Sequence, residues 1–525
     1  MDTRSCRAYC LIALLLLTGC PSSGGGGSSG GGGAFAITTT SANFGIVGNA
    51  YTTTLATANG TGPFTWTLFG GTLPGGLTLN SAAGTVTGTP TASGNSTATF
   101  TVRDGTGKSA TGSVLFAIHT RTDRVSVDAN GVAGNGASST PSLSNDGSLV
   151  AFVSTSTNFV SGVTGTQIYV HNRQTNQIEL VSRDSSSTVI NEGDGVSSEP
   201  AISSTDGRYV AFVSQSSNLV SGVSGTQVYV RDRQTGQTTV VSKSSSGVTG
   251  NGVSSTPAIS SDGRYVAFVS AATNLITGVS GTQIYRHDRT TGTTTLISKD
   301  NSVTPVPGNG VSSSPSISSD GRYVAFASLS TNLGALLNQQ IYMHDTLTGA
   351  NGTTSLVSKD TGTNGAGNGA SSTPVINGTG QFIAFVSAAT NIVSGFNGQQ
   401  IYLHDRLTGV NGTNSLISRD NSGPPNAGNQ NSSAPTISAD GRYVAFTSSA
   451  TNLLATITGQ QIYLQDRNGP TTSLASRTNS GSVVAGDAPS DSASINGAGG
   501  FVAFSSTATN LVGSGGTHIY VRALP

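Results

Sequence analysis

Residues 257–270 read PAISSDGRYVAFVS, and this stretch decides the fold. Two strand-forming halves flank Asp262-Gly263, a dipeptide typical of tight hairpin turns. The second half is apolar at nearly every position, which is typical of a strand that is covered on both faces. Two further strand-forming segments follow, at 283–285 and 295–298. The stretch and these segments together predict a sheet of four short strands.

This four-stranded unit recurs along the chain. An Ala-Phe pair marks its second strand, and successive pairs lie about 60 residues apart. An Ile-Tyr or Val-Tyr pair marks the third strand and occurs equally often. The seven phenylalanines are Phe152, Phe212, Phe268, Phe326, Phe385, Phe446 and Phe504. Four-stranded sheets repeated at one period form a propeller, so the sequence predicts a seven-bladed β-propeller over residues 121–525.

The repeat also resembles a known family. Ser-x-Asp-Gly-Arg-Tyr-Val-Ala-Phe at 260–268 and Ile-Tyr-x-His-Asp-Arg at 284–289 are similar to the TolB-type WD-like propeller repeat. The likeness runs from about residue 121 to 525, although Thr379 and Ala498 replace the turn aspartate in two units. Propellers of this type serve as interaction platforms and also accompany peptidases and lyases. The resemblance therefore implies the fold and leaves the function open.

A displaced strand is expected to close the ring. The seventh unit has no fourth strand after its Ile-Tyr pair, whereas a matching segment stands before the first unit. This segment, Arg124 to Asp128, aligns with the fourth strand at 296–300. We expect residues 123–128 to pair with the strand around Ile519, because that edge would otherwise expose unpaired backbone groups.

Residues 34–119 have a different pattern, with short alternating strands and frequent turn residues that predict an antiparallel sandwich. The segments GTLPGGLTLN at 71–80 and GTVTGTP at 84–90 resemble the cadherin-like, immunoglobulin-type module of bacterial surface proteins. That resemblance implies a spacer or adhesion unit. Trp66, the only tryptophan, could stack on a sugar, but its place in a strand favours the core. Asp104 stands alone near a strand end, so we expect no metal.

The first residues have the features of an export signal. Basic residues precede an apolar run at 11–17, which is too short to span a membrane. The ending Leu-Thr-Gly-Cys at 17–20 resembles a bacterial lipobox, which implies a signal peptide at 1–19 and a lipid on Cys20. The glycine and serine of 20–33 predict a flexible tether. Because Pro21 is not the aspartate that retains lipoproteins at the inner membrane, we expect an outer-membrane lipoprotein, periplasmic or surface-facing.

The composition excludes several function classes. Only 9% of residues are charged and the net charge is zero, so no basic surface is expected to bind nucleic acid, and membrane contact is expected through the lipid alone. The three cysteines lie within the first twenty residues, which leaves the folded part without disulfides. We expect a monomer without a cofactor.

The search for catalytic residues favours a protein that is not an enzyme. No Gly-x-Ser-x-Gly or His-Glu-x-x-His motif is present. Four of six histidines recur at or beside one position of the repeat, which indicates a structural role. They are His171, His287, His344 and His404. We therefore assign no catalytic residue and no metal ligand.

The long loops are the predicted binding face. Loops between second and third strands share a face with the loops between blades, opposite the Asp-Gly hairpins, and long loops on a rigid scaffold commonly bind partners. Each second-to-third loop carries an asparagine that either contacts a ligand or holds a turn. These are Asn158, Asn218, Asn274, Asn332, Asn391, Asn452 and Asn510.

We therefore expect an envelope lipoprotein that binds a protein or polysaccharide. The alternatives are a carbohydrate- or peptide-active lyase or hydrolase and a passive surface-structural protein.

Overall fold

The computed structural model describes residues 33–186, 190–334, 338–360, 365–409, 411–513 and 515–524. These residues form strands and one 3-10 turn at Thr331–Leu333, without an α-helix among them. The predicted all-β fold, a propeller with an immunoglobulin-like domain, is confirmed. No helix of the described segments is long and apolar enough to cross a membrane. The predicted signal peptide, Cys20 and nearly all of the predicted tether lie outside the described residues.

The first domain is a β-sandwich. One sheet has the order β2-β9-β8-β5, with β2 parallel to β9, and the other has the order β3-β7-β6; β1 and β4 form a small pair. Trp66 is 3% exposed and packs in the core between the sheets, with Phe100 and Phe116. The strands are β1 (Ala36–Ile37), β2 (Gly45–Ile46), β3 (Tyr51–Thr54), β4 (Thr57–Ala58), β5 (Thr65–Gly71), β6 (Leu77–Asn80), β7 (Thr85–Gly88), β8 (Gly94–Arg103) and β9 (Ser109–His119).

The remaining strands form seven four-stranded sheets, the blades of the propeller. The first three blades are β11 (Ser138–Leu143), β12 (Leu149–Ser154), β13 (Gln167–Asn172) and β14 (Gln177–Leu180); β15 (Ser197–Ile202), β16 (Tyr209–Ser214), β17 (Gln227–Asp232) and β18 (Gln237–Val240); and β19 (Ser254–Ile259), β20 (Tyr265–Ser270), β21 (Gln283–Asp288) and β22 (Thr293–Leu296). The next three are β23 (Ser312–Ile317), β24 (Tyr323–Ser328), β25 (Gln340–Asp345) and β26 (Thr353–Leu356); β27 (Ser371–Ile376), β28 (Phe382–Ser387), β29 (Gln400–Asp405) and β30 (Thr413–Leu416); and β31 (Ser432–Ile437), β32 (Tyr443–Ser448), β33 (Gln461–Asp466) and β34 (Thr471–Leu474). The seventh contains β35 (Ser490–Ile495), β36 (Phe501–Ser506), β37 (His518–Ala523) and β10 (Thr122–Arg124).

The apolar cores lie between neighbouring blades. In the third blade, the rings of Phe268 and Tyr285 stack across strands β20 and β21 with centroids 5.8 Å apart. Both rings pack against Val213 and Val230 of the blade before. Because each middle strand contacts a sheet on both faces, its residues are apolar at nearly every position, as in Val266 to Val269.

Buried polar side chains connect each blade to the next. Gln283 accepts a hydrogen bond from Ser298 Oγ at 2.6 Å and donates from Nε2 to the carbonyl of Gly308 at 2.6 Å, in the loop that leads to the fourth blade. The hydroxyls of Ser254 and Ser270 meet at 2.9 Å across strands β19 and β20. A chain rich in serine, threonine and glutamine can therefore fold without leaving these groups unpaired in the interior.

The seventh blade joins the two ends of the propeller. Strand β10 pairs antiparallel with β37, with Arg124 opposite Tyr520, and Val125 N–H donates to the Ile519 carbonyl at 2.9 Å. The next residue, Ser126, accepts from Ile519 N–H through its side chain at 3.1 Å. This side-chain bond ends the regular ladder at the seam, so the strand is shorter than the segment 123–128.

The sandwich contacts the propeller beside this seam. The guanidinium of Arg173 lies 4.7 Å from the ring centroid of Phe44 in the sandwich and 4.8 Å from that of Phe501 in the seventh blade. Its Nη1 donates to the Gly147 carbonyl at 2.9 Å, and the residue is 1% exposed. His119, the last residue of the sandwich, contacts the Arg173 carbonyl through Nε2 at 2.7 Å. The two domains therefore share a packed boundary.

Val125→Ala tests the packing at the seam. Val125 is fully buried, so losing two methyl groups should reduce the free energy of unfolding by about 1–2 kcal/mol. Val132→Ala is the matched control, because Val132 is exposed and its truncation should change stability by less than about 0.5 kcal/mol. Chemical denaturation of the full chain measures both values. Equal values for the two variants would contradict the buried seam.

Candidate functional site

The inner strands of the seven blades line the centre of the propeller. The first strand of each blade contacts the first strand of the next, and β11 also contacts β35 of the seventh blade. Every inner strand has a register shift near its middle, such as that between Ser255 and Ala258 in β19. A bulge of this kind redirects a side chain out of the regular ladder. The seven bulges therefore lie at one level around the channel.

A strained residue occupies each bulge. Its φ is between 44° and 54° in all seven blades, although none of the seven is glycine. A left-handed conformation costs a residue with a side chain of order 1–3 kcal/mol, and such strain is concentrated at functional sites. The bulge residues are Thr140, Glu199, Thr256, Ser314, Thr373, Ala434 and Ser492.

Most of these residues, with four of the prolines that follow them, line a cavity of about 340 Å³. Five of the seven bulge residues contribute, from the first blade to the fifth, together with residues such as Pro200 and Pro257. The wall is mainly hydroxyl groups and proline rings. A shallow cavity of this composition can accept an extended chain.

Glu199 breaks the symmetry of the cavity. It is the only charged residue among the seven bulge residues, and the lining residues include no lysine or arginine. Its Oε2 accepts a hydrogen bond from Thr256 N–H at 2.6 Å, which holds the carboxylate against the next blade. The carboxylate is half-buried and has no basic side chain bonded to it within the described residues. The cavity therefore offers one negative group to a ligand.

The seven loop asparagines have a different environment. In the third blade, Asn274 Oδ1 accepts from Asn251 N–H at 2.9 Å, and Nδ2 donates to the Thr249 carbonyl at 2.9 Å. Both amide atoms thus connect the loop to the preceding inter-blade loop, and the other six asparagines make the same pair of contacts. These six are Asn158, Asn218, Asn332, Asn391, Asn452 and Asn510.

The recurrent histidines lie in the third strand of their blades, away from the channel. His287 Nδ1 bonds the hydroxyl of Thr294 at 2.8 Å, and His344 does the same with Thr354 at 2.9 Å. Burial lowers the pKa of His171, like those of His287 and His344, to about 4. Across the described ranges, no group of three His, Cys, Asp or Glu residues is arranged to hold a metal ion.

Four arginine–aspartate pairs brace the second and third strands. Arg264 donates from Nε and Nη2 to both carboxylate oxygens of Asp288, at 3.0 and 2.8 Å. The equivalent pairs are Arg208–Asp232, Arg322–Asp345 and Arg442–Asp466. In the fifth blade, Gln381 replaces the arginine and donates to Asp405 at 3.0 Å. The pairs are part of the scaffold of the blades.

Sequence reasoning identified the loop asparagines and missed the bulge residues. The available signal was the proline that follows the bulge residue in six blades, as in Ser-Ser-Glu-Pro at 197–200. A proline near the middle of a predicted inner strand indicates a bulge, because it cannot donate to a regular ladder. Glu199 then stands out as the one acidic residue at that position of the repeat.

Comparison with known proteins identifies the first domain and relates the second to known folds. Residues 34–119 match the family described as "Putative Ig domain". The propeller is similar to that of the trilobed protease from Pyrococcus furiosus, with 14% identity, a TM-score of 0.44, and coverage of 74% of this chain and 94% of the other. It is also similar to an acylaminoacyl peptidase from Pyrococcus horikoshii, with 13% identity, a TM-score of 0.43, and coverage of 74% and 51%. A structure of prolyl endopeptidases gives 12% identity, a TM-score of 0.44, and coverage of 74% and 50%. No curated protein matches the chain.

This finding corrects the sequence-based prediction that the protein is not an enzyme. The similar structures are peptidases, and the chain spans about half the length of two of them. The prediction relied on the absence of motifs that each report one kind of catalytic machinery, so their absence does not exclude an enzyme. At these identities the likeness concerns the fold alone.

Asp288→Asn tests the contribution of an arginine–aspartate pair. The hydrogen bonds from Arg264 hold the pKa of Asp288 well below its usual range, at about 2. The charged form is favoured in the folded state, so its stabilisation is present above about pH 4 and disappears as the pH falls towards 2. We expect the variant to lose up to about 1 kcal/mol of stability at pH 7 and to match the wild type near pH 2.

Asp405→Asn is the control for this measurement, because Asp405 has a glutamine partner in place of arginine. Its loss at pH 7 should be smaller than that of Asp288→Asn. Thermal unfolding across the pH range measures both. A pH-independent difference between Asp288→Asn and the wild type would contradict the ion-pair assignment.

Proposed function

We propose that the protein is a binding propeller whose central cavity takes an extended, positively charged segment of a protein partner. The observation that carries this proposal is the single carboxylate, Glu199, in a cavity wall of hydroxyls and prolines. A half-buried carboxylate attracts an ammonium or guanidinium group more strongly than one in bulk water, because the local dielectric constant is lower. The left-handed backbone conformation of Glu199 belongs to the bulge in its own inner strand.

The loop asparagines are not proposed as contact groups for this partner. Their amides are already bonded within the protein, and breaking two hydrogen bonds per residue would oppose binding. Their role here is to fix the long loops around the channel mouth. The proposed binding surface therefore consists of fixed loops around a cavity that carries the negative charge of Glu199.

The location of the protein is proposed from the sequence. We propose an outer-membrane lipoprotein that is anchored through Cys20, with residues 20–33 as the tether. The immunoglobulin-like domain would then stand between the lipid and the propeller. In this arrangement the protein acts as a monomer in the cell envelope and presents its propeller to a partner there.

Glu199→Gln tests the binding site. The probe is the peptide Gly-Gly-Lys, titrated into the full mature chain by calorimetry and compared with the same peptide acetylated on both amines. Acetylation and Glu199→Gln should each weaken binding about tenfold or more, because each removes a charge-assisted hydrogen bond. Glu179→Gln removes the same charge from the outer strand β14 and should leave binding unchanged. Equal binding by Glu199→Gln and the wild type, or no binding of the amine peptide, would overturn the proposal.

Cys20→Ser tests the anchor. Without the thiol no lipid can be attached, so the protein should move from the membrane fraction to the soluble fraction of the envelope. Fractionation followed by mass spectrometry of the N-terminal peptide measures the change, with Cys10→Ser as the control that keeps the membrane location. A lipid still attached to the Cys20→Ser protein would refute the anchor.

A further inference from the structure

A second cavity lies where the sandwich meets the closing seam of the propeller, and its volume is about 520 Å³. Residues from both domains line it. The sandwich contributes Asn95 and His119, and the propeller contributes Arg124, Asn130 and Asn176. Its volume is within the range of sites that bind small molecules.

Arg124 occupies a position that is apolar in every other blade. In each blade, the tyrosine of the third strand faces one residue of the fourth strand. In the third blade, for example, Tyr285 faces Leu296, and the other five complete repeats have leucine or valine there. In the closing blade, Tyr520 faces Arg124. The chain therefore places a cation beside Asp123 on the outer strand β10, and both residues line this cavity.

The guanidinium of Arg124 has unused hydrogen-bonding capacity. Its Nε and Nη1 atoms are buried and have no hydrogen-bond partner within the described part of the chain. Buried donors without partners are costly, so an arginine that keeps them calls for an explanation. A leucine in this place would avoid that cost, as the other blades do.

The adjacent acid, Asp123, does not neutralise Arg124. The Asp123 carboxylate is bonded by His119 Nδ1 at 2.6 Å, and no ion pair joins it to Arg124. In the equivalent groove between the first two blades, Glu179 pairs with Arg233. The cavity at the domain boundary thus holds an arginine without an ion-pair partner, beside a carboxylate that is bonded to His119, whereas that groove holds an arginine–glutamate pair.

Amide groups line the same cavity. Asn95 from the sandwich and Asn130 from the propeller line the cavity, and neither side chain has a hydrogen bond to another residue that the structure describes. An amide can donate to and accept from sugar hydroxyls, since it has both kinds of group. One cation and two free amides form a set of donors and acceptors suited to a ligand with a carboxylate and hydroxyls.

We propose that this cavity binds a carboxylated sugar, with the carboxylate on Arg124 and the hydroxyls on Asn95 and Asn130. A guanidinium attracts a carboxylate through charge-assisted hydrogen bonds, and Arg124 has no ion-pair partner within the described residues. Because Asn95 and Arg124 belong to different domains, the ligand would contact both and hold the sandwich against the seam. The site is separate from the channel, so its test does not depend on Glu199.

Arg124→Leu tests the proposal with the full mature chain. Leucine is the residue that other blades use at this position, so the variant should fold with unchanged or higher thermal stability. The probe is digalacturonate, measured by titration calorimetry, and we expect Arg124→Leu to reduce its affinity at least tenfold. Arg419→Leu removes the same charge from the fifth blade and should bind as the wild type does. Raising the salt concentration should weaken binding by the wild type, because it screens the charge.

Two further ligands distinguish the chemistry of binding. The dimethyl ester of digalacturonate lacks the charge and should bind at least tenfold more weakly than the acid. Acetate has the charge without the hydroxyls and should also bind at least tenfold more weakly. The proposal is overturned if acetate binds as tightly as digalacturonate, if Arg124→Leu retains the wild-type affinity, or if the wild type does not bind digalacturonate. Loss of digalacturonate binding in Glu199→Gln alone would place the ligand in the channel and would likewise overturn the proposal.

Discussion

Seven backbone hydrogen bonds around the channel hold the blades in a ring, and the rest of the structure depends on this closure. Each bond joins the first hairpin of one blade to that of the next, as from Ser261 N–H to the Ser319 carbonyl. The last one runs from Ala498 N–H to the Asn145 carbonyl, so the seventh blade is bonded directly to the first. Because each blade contacts only its neighbours, a break at one place would expose two apolar faces at once.

The closure explains which features are repeated and which are not. The stacked Phe–Tyr pairs and the loop asparagines satisfy needs that every blade has, so they recur at one position of the repeat. The buried glutamine recurs in the same way in six blades, and His518 takes its place in the seventh. A residue that departs from the repeat is not explained by a structural need that all blades share. Glu199 in the channel and Arg124 at the seam are departures of this kind, and each places a charge where other blades have neutral side chains. In a repeat protein, therefore, the exceptions carry the information about ligands.

The sequence was sufficient for the fold because its signals are local. The hairpin dipeptide Asp262-Gly263 and the apolar second strand are adjacent in the chain. Trp66 likewise lies in a strand of the sandwich, and its side chain belongs to the core of that domain. The candidate site was harder to predict, since it depends on backbone conformation. The left-handed φ of Thr256 follows from a register shift within the blade, for which the sequence offered the following Pro257 as a signal but no glycine.

The role of the loop asparagines was also beyond the sequence, because each contact joins loops of different blades. Asn274 meets Asn251 only after the strands between them have folded into place. The contacts at the domain boundary also join segments that are distant in the chain. In the sequence, Arg173 is one of several arginines that follow a third strand. In the folded protein it is buried between Phe44 and Phe501, which belong to segments far apart in the chain.

That boundary connects the seam to the sandwich. Strand β10 follows directly on the last sandwich strand, and the bond of His119 to the Arg173 carbonyl fixes the connection against the first blade. The sandwich is therefore joined to β10 through the chain itself and to the first and seventh blades through Arg173 and Phe501. A ligand in the cavity beside Arg124 would contact both sides of this connection, so its binding energy would stabilise the closed ring as well as the domain boundary.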